Sequence, residues 1–200
     1  MKKQYLLKNR ITFCILIMTF SVNGFGALVK QLGTKDLAEQ SLFIFHGTVI
    51  EKQSYFGSNN NIFTDISFDV EEVNKGDALA EITLTFMGGE VNGIGMSIDA
   101  NIPDIYETGI FFVESPNNID NPILGWSQGV FLIEANGQIR AGNGEIIIGL
   151  EEKKLTELII LNGDSGIAEG VLTASDENNL TTTPISIQEL KDFLAELLGE

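Results

Sequence analysis

Asp65-Ile66-Ser67-Phe68-Asp69-Val70-Glu71 is the stretch that decides the fold class. Ile66, Phe68 and Val70 fall on one side of an extended chain; Asp65, Ser67, Asp69 and Glu71 fall on the other. A period of two that separates apolar from polar residues is the pattern of a β-strand with one wet face. Asn74-Lys75-Gly76-Asp77 closes this strand, and Glu81 to Phe86 repeats the pattern, with Ile82, Leu84 and Phe86 inward and Glu81, Thr83 and Thr85 outward. Upstream, Leu42 to Ile50 is an apolar run of β type, set off by the turn-forming Gly57-Ser58-Asn59-Asn60-Asn61. Downstream, Ile110-Phe111-Phe112-Val113 and Val130-Phe131-Leu132-Ile133 are apolar on both faces, as in strands buried from both sides. Between them, Pro116 to Pro122 reads as a surface loop.

Glycines punctuate these strands. Gly88-Gly89, followed by Gly93 and Gly95, predicts a bulge, a sharp bend or a loop, with a short strand resuming at Met96 to Ile98. Asn136-Gly137 is the strongest hairpin signal, because both residues tolerate the positive φ of a two-residue turn. Gln138 to Arg140 and Glu145 to Ile148 supply returning strands around a second turn at Gly142-Asn143-Gly144. Thr34 to Gln40 reads as a short helix with Thr34 as its N-cap. Leu150 to Leu161 fits either a helix or a helix followed by a strand, and Asn162 to Thr183 is polar and loop-like. Ser186-Ile187-Gln188-Glu189 matches a capping box. It opens a helix through Leu198 whose apolar stripe is Leu190, Phe193, Leu194 and Leu197.

The first 26 residues have the layout of a secretory leader. Lys2, Lys3, Lys8 and Arg10 precede the mostly apolar run Ile11 to Phe20, and small residues follow. Cleavage between Gly26 and Ala27 puts Gly24 and Gly26 at the two positions that must be small. The run is about half the roughly 20 residues of a spanning helix. Cys14 sits inside it behind Phe13, which is not the setting for lipid attachment. The expected location is therefore outside the cytoplasm, in the periplasm or the medium.

The whole chain carries 12 Lys and Arg against 28 Asp and Glu. Removing the leader leaves eight bases against the same 28 acids, a net charge of −20. Such a chain repels phosphate backbones and anionic membrane surfaces, so neither nucleic acid nor membrane is an expected partner. The charge serves solubility or an acidic binding face. Without the leader no cysteine remains, so the fold must rest on burial, for which 44% hydrophobic residues and 13 Phe suffice.

Few residues suggest chemistry. His46 is the only histidine, placed in an apolar strand where a packed structural role fits. Gly125-Trp126-Ser127-Gln128-Gly129 spells the nucleophile elbow, but the elbow joins a strand to a helix, and here a strand follows. A hydrolase would use His46 and Ser127; the competing reading is a tight entry into a strand. Asn162-Gly163-Asp164-Ser165-Gly166 resembles part of a calcium loop but lacks its acidic run and terminal Glu. One histidine does not make a zinc site, and no cofactor is expected. Trp126 has a core or strand-edge role or stacks on a ligand. Glu71-Glu72 and Glu151-Glu152 read as solvated faces.

Four pieces in order resemble a family of exported bacterial proteins: Phe45-His46-Gly47-Thr48-Val49, Phe68 to Gly76, Gly88-Gly89 with Gly109 to Val113, and Gly125 to Phe131. That family is similar to the OB-like barrels of the netrin and tissue-inhibitor-of-metalloproteinase superfamily. The resemblance implies a five-stranded OB-like barrel and protein binding near secreted proteases. Inhibitors of that superfamily chelate the protease zinc through an N-terminal cysteine, which this chain lacks after cleavage. The expected architecture is mainly β: a leader over 1–26, a barrel domain over 27–150 with an extra hairpin and a short N-terminal helix, and an extension over 151–200 ending in an amphipathic helix. The expected function is a non-enzymatic binding module for an exported protein partner; a hydrolase and a calcium-dependent surface protein are the alternatives.

Overall fold

The computed structural model describes residues 28–77, 79–96, 103–118, 120–162, 166–175 and 183–199. The leader and its cleavage bond between Gly26 and Ala27 lie outside them. The fold is mainly β. In chain order the elements are β1 (Leu28–Lys30), α1 (Thr34–Gln40), β2 (Phe43–Phe56), β3 (Ile62–Lys75), β4 (Glu81–Met87), β5 (Gly89–Val91) and β6 (Ile94–Met96). There follow β7 (Thr108–Val113), β8 (Val130–Ile133), β9 (Ile139–Ala141), β10 (Ile147–Leu150), β11 (Ile160–Asn162), β12 (Val171–Thr173) and α2 (Ile187–Leu198).

Six strands form one antiparallel sheet in the order β4-β3-β2-β7-β8-β9. Two meanders, β2-β3-β4 and β7-β8-β9, thus lie side by side and join where Phe45 faces Phe111. The sheets are not closed into a barrel. The edges β4 and β9 do not pair with each other, and the three-residue β9 meets Ile146 through a bridge at Arg140.

Two cores share this sheet. On one face Phe45 and Val49 of β2, Ile66 and Phe68 of β3, Ile82, Leu84 and Phe86 of β4, Phe111 and Val113 of β7, and Val130 and Leu132 of β8 pack on one another, with no helix among them. Register irregularities at three places in the β2–β3 ribbon bend it, which lets a single sheet curl around its own side chains. The rings of Phe45, Phe68 and Phe111 meet at centroid distances of 4.8–5.3 Å. On the other face Ile44, Ile110, Phe112, Phe131, Ile139 and Ala141 are covered by Leu37 of α1, Leu190 and Leu194 of α2, Ile147 of β10 and Val171 of β12. The outward residues of β4, Glu81 and Thr83, stay exposed, as alternation requires.

Several local expectations are corrected. The N-cap of α1 is Gly33, with extended φ −88° and ψ 164°, and Thr34 is the first helical residue. The Thr34 hydroxyl instead bridges two backbone groups, donating to Glu151 O at 2.6 Å and accepting from Lys153 N at 2.9 Å. Residues 151–159 are neither helix nor strand. They run as a strap across the start of α1, held where Lys35 N donates to Lys153 O at 2.8 Å and Leu155 N to the Asp36 carboxylate at 2.9 Å. The strap leads into β11, which pairs with β1. The apolar Leu158, Ile159 and Ile160 along this stretch stay exposed, so they form no buried helical face.

Turn chemistry also differs in detail. Asn136 does not take a positive φ; Gly137 alone does, at 82°. Glu134 O accepts from Gly137 N, and Glu134 N donates to Gln138 O, so β8 and β9 are joined by a three-residue loop. The two-residue turn with positive φ at both positions is instead Asn92-Gly93, at 54° and 79°, joining β5 to β6. Gly88 and Gly89 (φ 105° and 125°) redirect the chain from β4 into β5. A Cβ on Gly89 would lie 2.2 Å from Thr64 Oγ1, so the bend requires glycine twice over. The capping box of α2 is present, with Glu189 N donating to Ser186 Oγ at 3.2 Å and Ser186 N to Glu189 Oε2 at 2.7 Å. No described helix is long and apolar enough to cross a membrane.

Candidate functional site

His46 lies mid-strand in β2, opposite Ile110 of β7 and Glu72 of β3, with 7% of its surface exposed. Its Nδ1 is 3.6 Å from Glu71 Oε2, and its Nε2 has no hydrogen-bond partner among the described residues. Burial pushes the imidazole below the ordinary histidine range; the Glu71 carboxylate opposes this, the Lys191 ammonium of α2 reinforces it, and Glu72 opposes it. The unfolded chain therefore takes up a proton that the folded chain resists. Stability contributed by neutral His46 is complete above its ordinary pKa of about 6.5 and is lost as pH falls below it. In denaturation series from about pH 7 to about pH 5, His46→Gln is expected to lose stability less steeply than the parent.

Ser127 is placed elsewhere. It sits in a 3-10 turn over Trp126–Gly129 that runs straight into β8, and its Oγ donates to Gly166 O at 2.8 Å. The structure does not bring His46 and Ser127 together as base and nucleophile: the serine proton is directed at a backbone carbonyl, and Nε2 of the histidine bonds to no described residue. The glycines of the elbow letters serve packing. Gly125 takes φ 65°, and a Cβ on Gly129 would lie 2.4 Å from Leu124 O. Trp126 is half-buried with φ 59°.

Gln128, to which no sequence motif assigns a role, is the organising side chain of this turn. It is 1% exposed, accepts from Leu32 N at 2.8 Å, and donates to Lys30 O at 2.9 Å and Gly125 O at 3.1 Å. Its amide satisfies the carbonyl of Lys30 at the end of β1 and the N–H of Leu32 just beyond it. Gln128→Ala leaves a buried donor and acceptor unpaired and is expected to cost about 2–3 kcal/mol in chemical denaturation. Its one local signal is a position directly before a glycine and a buried strand.

A polar groove of about 280 Å³ opens between α2 and the end of β3, with Glu72, Asn74, Gln188, Lys191 and Asp192 on its walls. Lys191 is ion-paired to Glu72 across it. Among the described residues no group of three or more His, Cys, Asp or Glu is placed to hold a metal. Most of the calcium-loop candidate, Gly163 to Ser165, lies outside the described residues.

The β2–β3 ribbon runs on as an arm beyond its pairing with β7. β2 and β3 are 14 residues each, and β7 pairs with β2 only as far as Thr48. Beyond that point β2 carries the exposed Ile50, Tyr55 and Phe56, at 44%, 37% and 44%. Tyr106, 82% exposed, is bonded through its N–H to Val49 O, and Ile105 beside it is 43% exposed. Ile94, on the β5–β6 hairpin packed against the same arm, is 59% exposed. Glu51, Asp65, Glu90 and Asp104 stand among these residues, Lys52 is paired with Asp104 at 2.7 Å, and Arg140 is paired with Glu107 beside Tyr106 at 3.2 Å. Such a combination of water-facing aromatics and acids fits contact with an apolar and basic surface. Comparison with family models, with curated proteins and with solved structures returned no match to this chain.

Proposed function

We propose that the protein is an exported, non-enzymatic binding module for a protein partner, and that the arm makes the contact. The observation that carries this reading is the set of exposed large side chains Tyr55 and Phe56 at the end of β2, Ile94 on the β5–β6 hairpin, and Ile105 and Tyr106 just before β7. Large apolar groups held in water are a standing cost that association removes, and aromatic residues dominate the energy of interfaces. Acids around them favour a basic partner and speed its approach. The resemblance to the netrin and tissue-inhibitor-of-metalloproteinase superfamily makes secreted metalloproteases the first partners to assay. Chelation of their zinc by an N-terminal cysteine is not part of this proposal, because the chain's one cysteine is Cys14.

The test is retention of periplasmic and medium proteins on the immobilised chain, compared with a Phe56→Ser, Tyr106→Ser double variant. We expect a partner held by the parent, released by salt and retained at least tenfold less by the variant. Equal retention by both, or none across salt conditions, would overturn the reading.

A further inference from the structure

We propose that the open edge of β4 takes up an extended segment of the partner as an added strand, and that this segment alternates basic and apolar residues. The proposal rests on the protein-binding reading above and assigns its mode of recognition. The pairing of β3 with β4 fixes which backbone groups are free. Val70 N donates to Ala80 O, and Gly88 N donates to Ile62 O, so Ile82, Leu84 and Phe86 spend their backbone groups on β3. Glu81, Thr83 and Thr85 therefore turn theirs away from the sheet, and among the described residues these have no partner. Met87 N donates to Asp120 O at 3.3 Å, which ends the free row and limits an incoming strand to about five residues.

Sheet edges are normally blunted by a lysine, a proline, a bulge or shortness. The opposite edge, β9, is three residues long, carries Arg140 and is bridged to Ile146. By contrast β4 is seven residues long, contains no lysine or proline, and pairs with β3 without a register shift. It has the form of an acceptor edge.

The two faces beside that edge state what fits. On the outer face stand Glu81, Asp65 and Asp69 with the hydroxyls of Thr83 and Ser67. On the inner face stand Ile82, Leu84 and Phe86, with a shallow apolar depression between Phe43, Val73 and the 51% exposed Leu79. An added strand continues both faces, so it needs bases on one side and apolar residues on the other. A second copy of this chain would oppose Glu81, Asp65 and Asp69 with their own kind, which disfavours self-pairing.

Three acetylated, amidated heptapeptides test this: alternating Lys and Val, the same residues in blocks, and alternating Glu and Val. Titrated into the purified protein, the alternating basic peptide is expected to bind at least tenfold tighter than its block isomer and to protect the amides of Glu81, Thr83 and Thr85 from hydrogen exchange. Thr83→Pro removes an outward N–H without touching the pairing to β3, and is expected to weaken that peptide at least tenfold. Glu81→Lys, at an exposed position, gives the same direction of change should the proline variant fold poorly. Equal binding of the alternating and block peptides, or unchanged binding by both variants, would overturn the proposal. A natural partner held equally by Thr83→Pro and the parent also overturns strand addition while protein binding stands. Retention of no partner at all instead fails the protein-binding reading, through a different readout.

Discussion

Phe111→Ala is expected to lower the free energy of unfolding by about 3–5 kcal/mol, the range for removing a fully buried phenylalanine. Phe111 is 0% exposed at the centre of the sheet, with the rings of Phe45 and Phe68 at 5.3 and 4.8 Å. Because this face is filled by side chains of the sheet together with Ile123, with no helix among the described residues packed there to close the void, the cost belongs at the upper end. Against a typical stability of about 5–15 kcal/mol, such a loss leaves a marginal fold. The check is urea denaturation: the midpoint should fall while the slope holds, since one sheet carries both cores and they unfold together. A slope reduced along with the midpoint would show that the two faces melt separately.

Asp36→Ala is the second large effect, about 3 kcal/mol by the cost of stranding buried donors that faced a charged acceptor. Asp36 is 4% exposed; one carboxylate oxygen accepts from Gly33 N at 3.0 Å and from Leu155 N at 2.9 Å, the other from Gln40 Nε2 at 3.1 Å. One side chain therefore caps α1 and fastens the strap of residues 151–159. The expected signature is local as well as global: the amides of Lys35 and Leu155 should exchange faster in the variant than its loss of stability alone explains. Asp36→Asn keeps one acceptor oxygen and should cost about half as much.

The sheet was legible in the chain to the extent that its strands have one wet face. Ile66, Phe68, Ile82, Leu84 and Phe86 point inward as their alternation indicates. Closure was not legible, because whether β4 meets β8 or β9 depends on curvature and strand length, which alternation does not encode. Asn92-Gly93 was hidden among neighbouring glycines, and Asn136-Gly137 carries the same two letters in a longer loop, so the dipeptide alone does not set turn length. Residues 151–159 were not legible because their backbone is held by Thr34, Lys35 and Asp36, more than a hundred residues away, while Leu158 and Ile159 stay exposed. Of the site candidates, His46 reads in both sequence and structure as a packed residue. Gln128 and Asp36 bind backbone 96 and 119 residues away, a relation no local pattern reports. The unpartnered edge of β4 became visible only once the register was known.

The pairing of Leu28–Lys30 with Ile160–Asn162, and the cover that Leu190 and Leu194 give to the outer face, set a timetable for the newborn polypeptide. Early-synthesised segments wait for the last quarter of the chain before they can settle, and contacts so far apart form slowly.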